Sequence, residues 1–220
     1  MRRPLMAYDP PQTPVFEVVY KDEHLIVFNK PSELLTVPGK HAVHKDSLQL
    51  RVQRVWPSAT IVHRLDMATS GLLIMALDKP SHRHISKQFE TRQVGKTYYA
   101  RVLGLPPQTS GTIELPLVCD WPNRPMQMVD WENGKPACTH WELVSSDEVS
   151  SLLKLTPITG RSHQLRVHML SMGHAILGDR LYASDEGKAL SSRLCLHAFN
   201  ISFMHPVTGN ALYFETPYLF

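Results

Sequence analysis

Asp66 carries the clearest chemical promise in this chain because of the residues around it. His63-Arg64-Leu65-Asp66 is a polar knot, followed by Thr69-Ser70-Gly71 and then an unbroken apolar run over 72–77. Arg64 and Asp66 stand two apart, so in an extended loop they face the same way and set a fixed cation beside a carboxylate. Such a neighbour favours the ionised carboxylate. Plainer readings fit the same residues. One is a surface ion pair; another is a metal site on His63 and Asp66, although no third and fourth ligand stands at a recognisable spacing.

A second stretch is Gly160-Arg161-Ser162-His163-Gln164-Leu165-Arg166-Val167-His168. Gly160-Arg161 leads into an expected helix N-terminus, where free N–H groups and a guanidinium suit a phosphate. Arg166, one turn beyond Ser162, reaches the same end. His163 and His168 point roughly 140° apart on a helix, whereas the zinc helix motif needs i and i+4. An amphipathic helix with solvated arginines is the alternative. In Tyr98-Tyr99, strand alternation sends one ring inward and one outward; a Tyr facing a cleft can stack on a base or exchange a proton. Trp121 with Arg124 pairs an aromatic with a cation, as single-stranded RNA contacts do, or is a packed Trp in a proline-rich loop. Phosphate-loop, dinucleotide and serine-elbow motifs are absent. An enzyme of this kind would rest on one carboxylate without a cofactor.

The elements that must position these residues can be read from pattern. Strands are expected at 15–20 and 24–28 around a turn at 21–23, and Asn29-Lys30-Pro31 ends the second because proline cannot extend a ladder. Asp46 or Ser47 caps a helix reaching about Trp56, with Leu48, Val52 and Val55 or Trp56 inward and Arg51 and Arg54 in solvent. The run at 72–77, bounded by Gly71 and Lys79-Pro80, reads as a buried strand. A helix capped by Ser81 extends to about Arg92 with Ile85 and Phe89 inward, and an aromatic, alternating strand covers 96–103. Residues 104–136, with six prolines and five glycines or asparagines, form a loop-rich insertion. Strands at 137–144 and 151–156, a helix over 162–172 stopped by Gly173, and strands at 194–203 and 211–214 complete the chain. Strands dominate without βαβ alternation, which predicts an α+β fold with a mixed, mainly antiparallel sheet and flanking helices.

A chain of 220 residues can enclose one sizeable core. Residues 1–14, with four prolines, read as a loose leader, and 15–220 as a single domain. Net charge is +3, from 23 basic and 20 acidic residues, with a pI near 8.8; this permits a nucleic-acid partner without demanding one. Cys119, Cys138 and Cys195 are odd in number and widely spaced, as free thiols in a reducing compartment are. Arg2 and Arg3 precede prolines instead of an apolar core, so no signal peptide is read. No run approaches the roughly 18 apolar residues of a spanning helix. The expectation is a cytoplasmic protein with no membrane partner.

In their order, His63-Arg64-Leu65-Asp66-x-x-Thr69-Ser70-Gly71, Asn29-Lys30-Pro31, Lys96-x-Tyr98-x-Ala100, the 160–168 segment, Leu177-Gly178-Asp179-Arg180-Leu181-Tyr182 and Leu196-His197-Ala198 resemble the motifs of the RluA-type pseudouridine synthases. The resemblance covers about 15–217. It implies a mainly antiparallel sheet with a central catalytic cleft and an enzyme that isomerises uridine in RNA without a cofactor or metal. By resemblance Asp66 is the essential carboxylate, Tyr98 packs against the uracil, Arg166 pairs with Asp66, and Arg64 enters the RNA stack as the uridine flips out. His63, Arg161, Trp121 and Arg124 are the further expected RNA contacts. Cys119-Asp120-Trp121-Pro122-Asn123-Arg124-Pro125 resembles the members that act on both a tRNA anticodon loop and a 23S ribosomal RNA hairpin loop. A monomer without a separate N-terminal RNA-binding domain is expected. Three departures stand out: Glu33 where the family pattern has Gly, and Met126 and Met128 in place of lysines. The alternatives are a non-catalytic RNA-binding module and a metal hydrolase using His63, Asp66 and His163.

Overall fold

The computed structural model of the protein describes residues 7–220. The apolar run becomes β4 (Ser70–Ala76), all of whose residues are buried, beside β2 (Leu25–Lys30). Leu73 and Met75 join Ile26, Phe28, Leu48 and Val52 in one core cluster, while Leu72, Ile74 and Ala76 join Leu25, Val27 and Ile85 in another. α1 (Leu48–Gln53) contributes to the first and α2 (Lys79–Glu90) to the second. A strand covered on both faces has no polar side to show, which is why the run does not alternate.

The remaining strands are β1 (Glu17–Lys21), β3 (Thr60–Ile61), β5 (Gly95–Leu103), β6 (Ser110–Glu114), β7 (Leu117–Cys119), β8 (Gln127–Val129), β9 (Cys138–Ser146), β10 (Ser150–Pro157), β11 (Leu196–Met204) and β12 (Ala211–Glu215). The main sheet runs β1-β2-β4-β11-β5-β10-β9-β6, with β3 beside β4 and β12 beside β11; β7 and β8 form a separate hairpin. Every pairing is antiparallel except β4 with β11. The fold is α+β, with helices flanking a mixed, mainly antiparallel sheet. At the β4–β11 junction Gly71 has φ +112°, and a Cβ there would stand 2.3 Å from the Ala198 carbonyl oxygen, so only glycine fits. α3 (Gln164–Ser171) packs Leu165 and Met169 against Ala100, Val102 and Leu155, on the face of the sheet that also carries Tyr98, and α4 (Asp185–Ala189) precedes β11.

Several expectations need correction. Of the 1–14 leader, residues 1–6 lie outside the described part. The rest is irregular but not loose: Tyr8 Oη donates to the Asp46 carbonyl at 2.7 Å, and Arg51 donates to the carbonyls of Pro11 and Val15. Arg51 is therefore not in solvent; it is 3% exposed and grips Asp46 with two hydrogen bonds of 2.8 and 2.6 Å. Helical periodicity placed it on the outer face, but the N-terminal segment covers that face. Ser47 caps α1, and α2 is capped by Asp78, which accepts from Ser81 N–H at 2.7 Å. The proline-rich insertion holds β6, β7 and β8, each too short to stand out among its turns. The helix at 162–172 begins later, at Gln164, because His163 takes a left-handed φ of +53°.

Candidate active site

A cleft of about 1200 Å³ opens over the sheet, lined by the 61–69 loop, by Lys96 and Tyr98 of β5, by the 157–166 segment and by a rim that includes Arg124 and Arg180. Asp66 stands in it with its side chain 31% exposed. Its loop is pinned from behind. Thr36 Oγ1 donates to the Leu65 carbonyl, Lys30 Nζ to that of Met67, and Ser32 Oγ to that of Ala68, while Thr69 N–H reaches the Asp66 carbonyl. Lys30 is fully buried; its ammonium also holds the carbonyls of Pro31 and Leu34, each at 2.7 Å, and burial brings its pKa down to about 7. These bonds fix the backbone on both sides of Asp66, so its carboxylate is presented from a rigid support.

The cation beside Asp66 is Arg166 and not Arg64. Arg166 Nη1 lies 3.6 Å from Asp66 Oδ2, and His163 Nε2 lies 3.8 Å from the same oxygen. Arg64 is exposed at the cleft wall and, among the described residues, forms no ion pair with Asp66. Arg166 is only 5% exposed and is itself held by Asp179, 1% exposed, through bonds of 2.7 and 2.6 Å. Burial works to lower the Arg166 pKa, but the Asp179 hydrogen bonds outweigh it and leave the guanidinium raised and charged. Asp179 also accepts from the Leu181 and Tyr182 N–H groups. The amphipathic alternative for this helix fails, because five successive residues from Leu165 to Met169 are buried.

A further chain of contacts reaches Asp66 through His163. Tyr182 Oη accepts from Gln127 N–H at 2.7 Å and lies 2.7 Å from His163 Nδ1. The contact with Tyr182 fixes the imidazole ring so that its other nitrogen, Nε2, faces Asp66. Burial lowers the His163 pKa despite the nearby Asp66 charge. Its left-handed backbone is a cost borne by a non-glycine residue at the cleft.

Tyr98 faces the cleft, and Tyr99 packs on the opposite face against Phe199 and Tyr218. Burial, and then the Asp66 charge, raise the Tyr98 phenol above its ordinary range, so it stays protonated. His63 lines the same wall, but its Nε2 accepts from Ile74 N–H at 3.0 Å and its ring stacks on Phe89 at 4.5 Å. Burial pushes this ring down to about 3, so it is neutral. Arg161 is exposed and donates to the Pro136 carbonyl. Trp121 is 65% exposed on a 3-10 turn, with the Arg124 guanidinium 4.4 Å from its ring centre. Glu33, on a left-handed turn at φ +62°, forms a 3.2 Å ion pair with Arg180 at the rim.

Lys30, Lys96, Asp179 and Tyr182, in or directly behind the cleft, carry no signal of their own in residue type or spacing; all four stand inside the ordered motifs, which are the only sequence feature that points to them. Among the described residues no group of three or more His, Cys, Asp or Glu side chains is placed to hold a metal ion, so His63, Asp66 and His163 do not make the metal site considered above.

A family model described as RNA pseudouridylate synthase matches residues 24–171. The chain is 52% identical over 212 residues to the dual-specificity RNA pseudouridine synthase RluA of Escherichia coli strain K12, covering 96% of each chain. It is 54% identical over 199 residues to the protein of the same name in Yersinia pestis, covering 90% of this chain and 97% of that one. Among solved structures it resembles human RNA Pseudouridylate Synthase Domain Containing 1, with a TM-score of 0.77 and 28% identity over 92% of this chain and 83% of the other. With the family model spanning well over half its length and the curated relatives matching nearly all of it, the chain belongs to the RNA pseudouridylate synthase family.

Proposed function

We propose that this protein converts uridines in RNA to pseudouridine, with Asp66 as the reacting carboxylate. The observation that carries the reading is Asp66 itself: a partly exposed carboxylate on a pinned loop, facing a cleft and set 3.6 Å from a guanidinium that is locked by a second carboxylate. The chemistry is an isomerisation. The N1–C1′ bond breaks, the detached uracil turns, C5 joins C1′, the C5 proton leaves to solvent and N1 takes up a proton in its place. Nothing is oxidised or reduced, so no redox cofactor enters the balance.

The uridine must leave its stack to reach Asp66, which costs a few kcal/mol and less in a loop than in a duplex. Tyr98 packs beside the everted uracil, and as a protonated phenol it can donate but cannot act as a base. Arg166 fixes the Asp66 carboxylate. Arg64, exposed at the wall, fills the space the base vacates. Arg161, Trp121 and Arg124 contact the RNA outside the cleft, with stacking on Trp121 and charge from the arginines; His63 supports the wall more than it contacts the substrate. The RluA relatives are named as dual-specificity enzymes, and we assign this chain two substrates, the tRNA anticodon loop and 23S ribosomal RNA hairpin loop that its 119–125 segment suggests, met in the cytoplasm by a monomer. Among the described residues no helix is long and apolar enough to cross a membrane.

The test is release of tritium from RNA hairpins labelled at uridine C5, together with pseudouridine mapping of tRNA and 23S ribosomal RNA from cells lacking the protein. Release from both hairpins and loss of one pseudouridine in each RNA are expected. An absence of release from any RNA would remove the assignment.

A further inference from the structure

Lys96 is a cation in the cleft with no anion to answer it. Among the described residues its side chain has no hydrogen-bond or ion-pair partner, and burial alone lowers its pKa, with no carboxylate close enough to oppose that. The two fully sequestered cations of this site are satisfied, Lys30 by three carbonyls and Arg166 by Asp179, whereas Arg64 at the wall is open to solvent. A desolvated, unpaired charge costs stability and is retained at sites where a ligand supplies the missing counter-charge.

Its placement indicates which ligand. Lys96 and Tyr98 are two apart on β5 and both line the cleft, so the ammonium stands one pleat from the phenol, about 7 Å along the strand. That order, ring and then cation, matches a uracil and the phosphate of its own nucleotide. Across the gap lies Gly160. A Cβ there would meet nothing closer than Lys96 Nζ at 4.0 Å, so the glycine leaves the approach to the ammonium open. His63, whose ring feels the Lys96 charge, is neutral and does not compete for an anion.

We infer that Lys96 and the open face of Gly160 form an anion subsite for a backbone phosphate of the everted nucleotide, seated beside the uracil position at Tyr98. The inference rests on the RNA reading above. Its role is to bind and orient the nucleotide once flipped, not to react with it. Releasing one counterion per phosphate contact steepens the salt dependence of binding by about one unit or slightly less.

The experiment measures binding of a tRNA anticodon stem-loop to the full chain from 50 to 200 mM salt, for wild type, Lys96→Met, Lys96→Arg and Gly160→Ala. Lys96→Met is expected to weaken binding about three- to tenfold and to flatten the log–log salt slope by about 0.7 to 0.9. Its melting temperature should hold or rise, since a partly desolvated charge without a partner is gone. Lys96→Arg should restore the slope, and Gly160→Ala should weaken binding while keeping it. A hairpin with a neutral methylphosphonate beside the target uridine should lose affinity to wild type and no further affinity to Lys96→Met. A Lys96→Met slope equal to wild type, on an RNA that wild type binds and isomerises, would overturn the subsite alone. Failure of wild type to bind or isomerise any RNA would instead remove the reading beneath it.

Discussion

The floor of the cleft and its rim are built by opposite rules. At the floor, Asp66 leans on Arg166, Arg166 on Asp179, and Asp179 on two backbone N–H groups, nearly all out of solvent. At the rim, Trp121 is mostly exposed on a 3-10 turn beside the two-stranded β7–β8 hairpin, touched by Arg124 through its ring face. The floor holds one carboxylate in one place, as a reaction needs. The rim presents stacking area and charge that a folded RNA loop can adjust to. Substitutions should therefore cost stability at the floor and RNA affinity at the rim.

Arg166→Met should show the largest effect. It strands the nearly inaccessible Asp179 carboxylate and is expected to cost about 3–5 kcal/mol in urea unfolding, with turnover lost as well. Replacing both partners, Arg166→Met with Asp179→Leu, should recover much of the stability but none of the turnover. Recovered turnover would show that Asp66 does not need its guanidinium. Arg166→Lys keeps the charge but not the two-pronged grip and should fall between.

Next comes pH. Behind the floor, His197 Nδ1 lies 2.8 Å from Ser70 Oγ, and burial pushes His197 and the fully buried His168 down to about 4. In the unfolded chain both titrate near 6.5. Their contribution to stability is complete above pH 6.5 and is lost as pH falls toward 4, because the unfolded chain takes up protons that the folded one refuses. The steepest slope is about 1.4 kcal/mol per pH unit for each histidine. His197→Gln should flatten the pH dependence of unfolding by one proton; an unchanged slope would contradict the buried neutral ring.

At the rim, Trp121→Ala should leave stability within about 0.5 kcal/mol and cost about 1–3 kcal/mol of RNA binding. A large loss of stability would make Trp121 part of the core and break the contrast. Glu33→Gly should show the smallest effect. It relieves a left-handed φ and removes the rim carboxylate that pairs with Arg180, an exposed pair of little worth. Stability should stay within about 1 kcal/mol, while RNA affinity at low salt rises a few-fold as Arg180 turns to phosphate.

What could be read before the coordinates follows the same division. The β4 run, the alternation of β5 and the chain order of Asp66, Tyr98 and Arg166 were legible, because local pattern and motif both point to them. Arg64 as the partner of Asp66 was not, since adjacency in sequence lost to a guanidinium one hundred residues away. Arg51 defeated helical periodicity, because the face it occupies is covered by the N-terminal segment and by Asp46. Nothing in the residue type of Lys30 or Lys96 announces that the first is fully and the second partly covered, because burial is a property of the fold that brings other elements over them. Strands of three residues such as β7 and β8 carry too few positions to register any period.

One measurement bears most directly on the role of Asp66: binding and single-turnover tritium release for wild type and Asp66→Asn on the same C5-labelled anticodon hairpin. The expected result is binding by both proteins within a few-fold, and release by wild type alone. Equal release by Asp66→Asn, or binding by wild type with no release at all, would contradict it, and the second outcome would make the chain an RNA-binding module that keeps the fold without the chemistry.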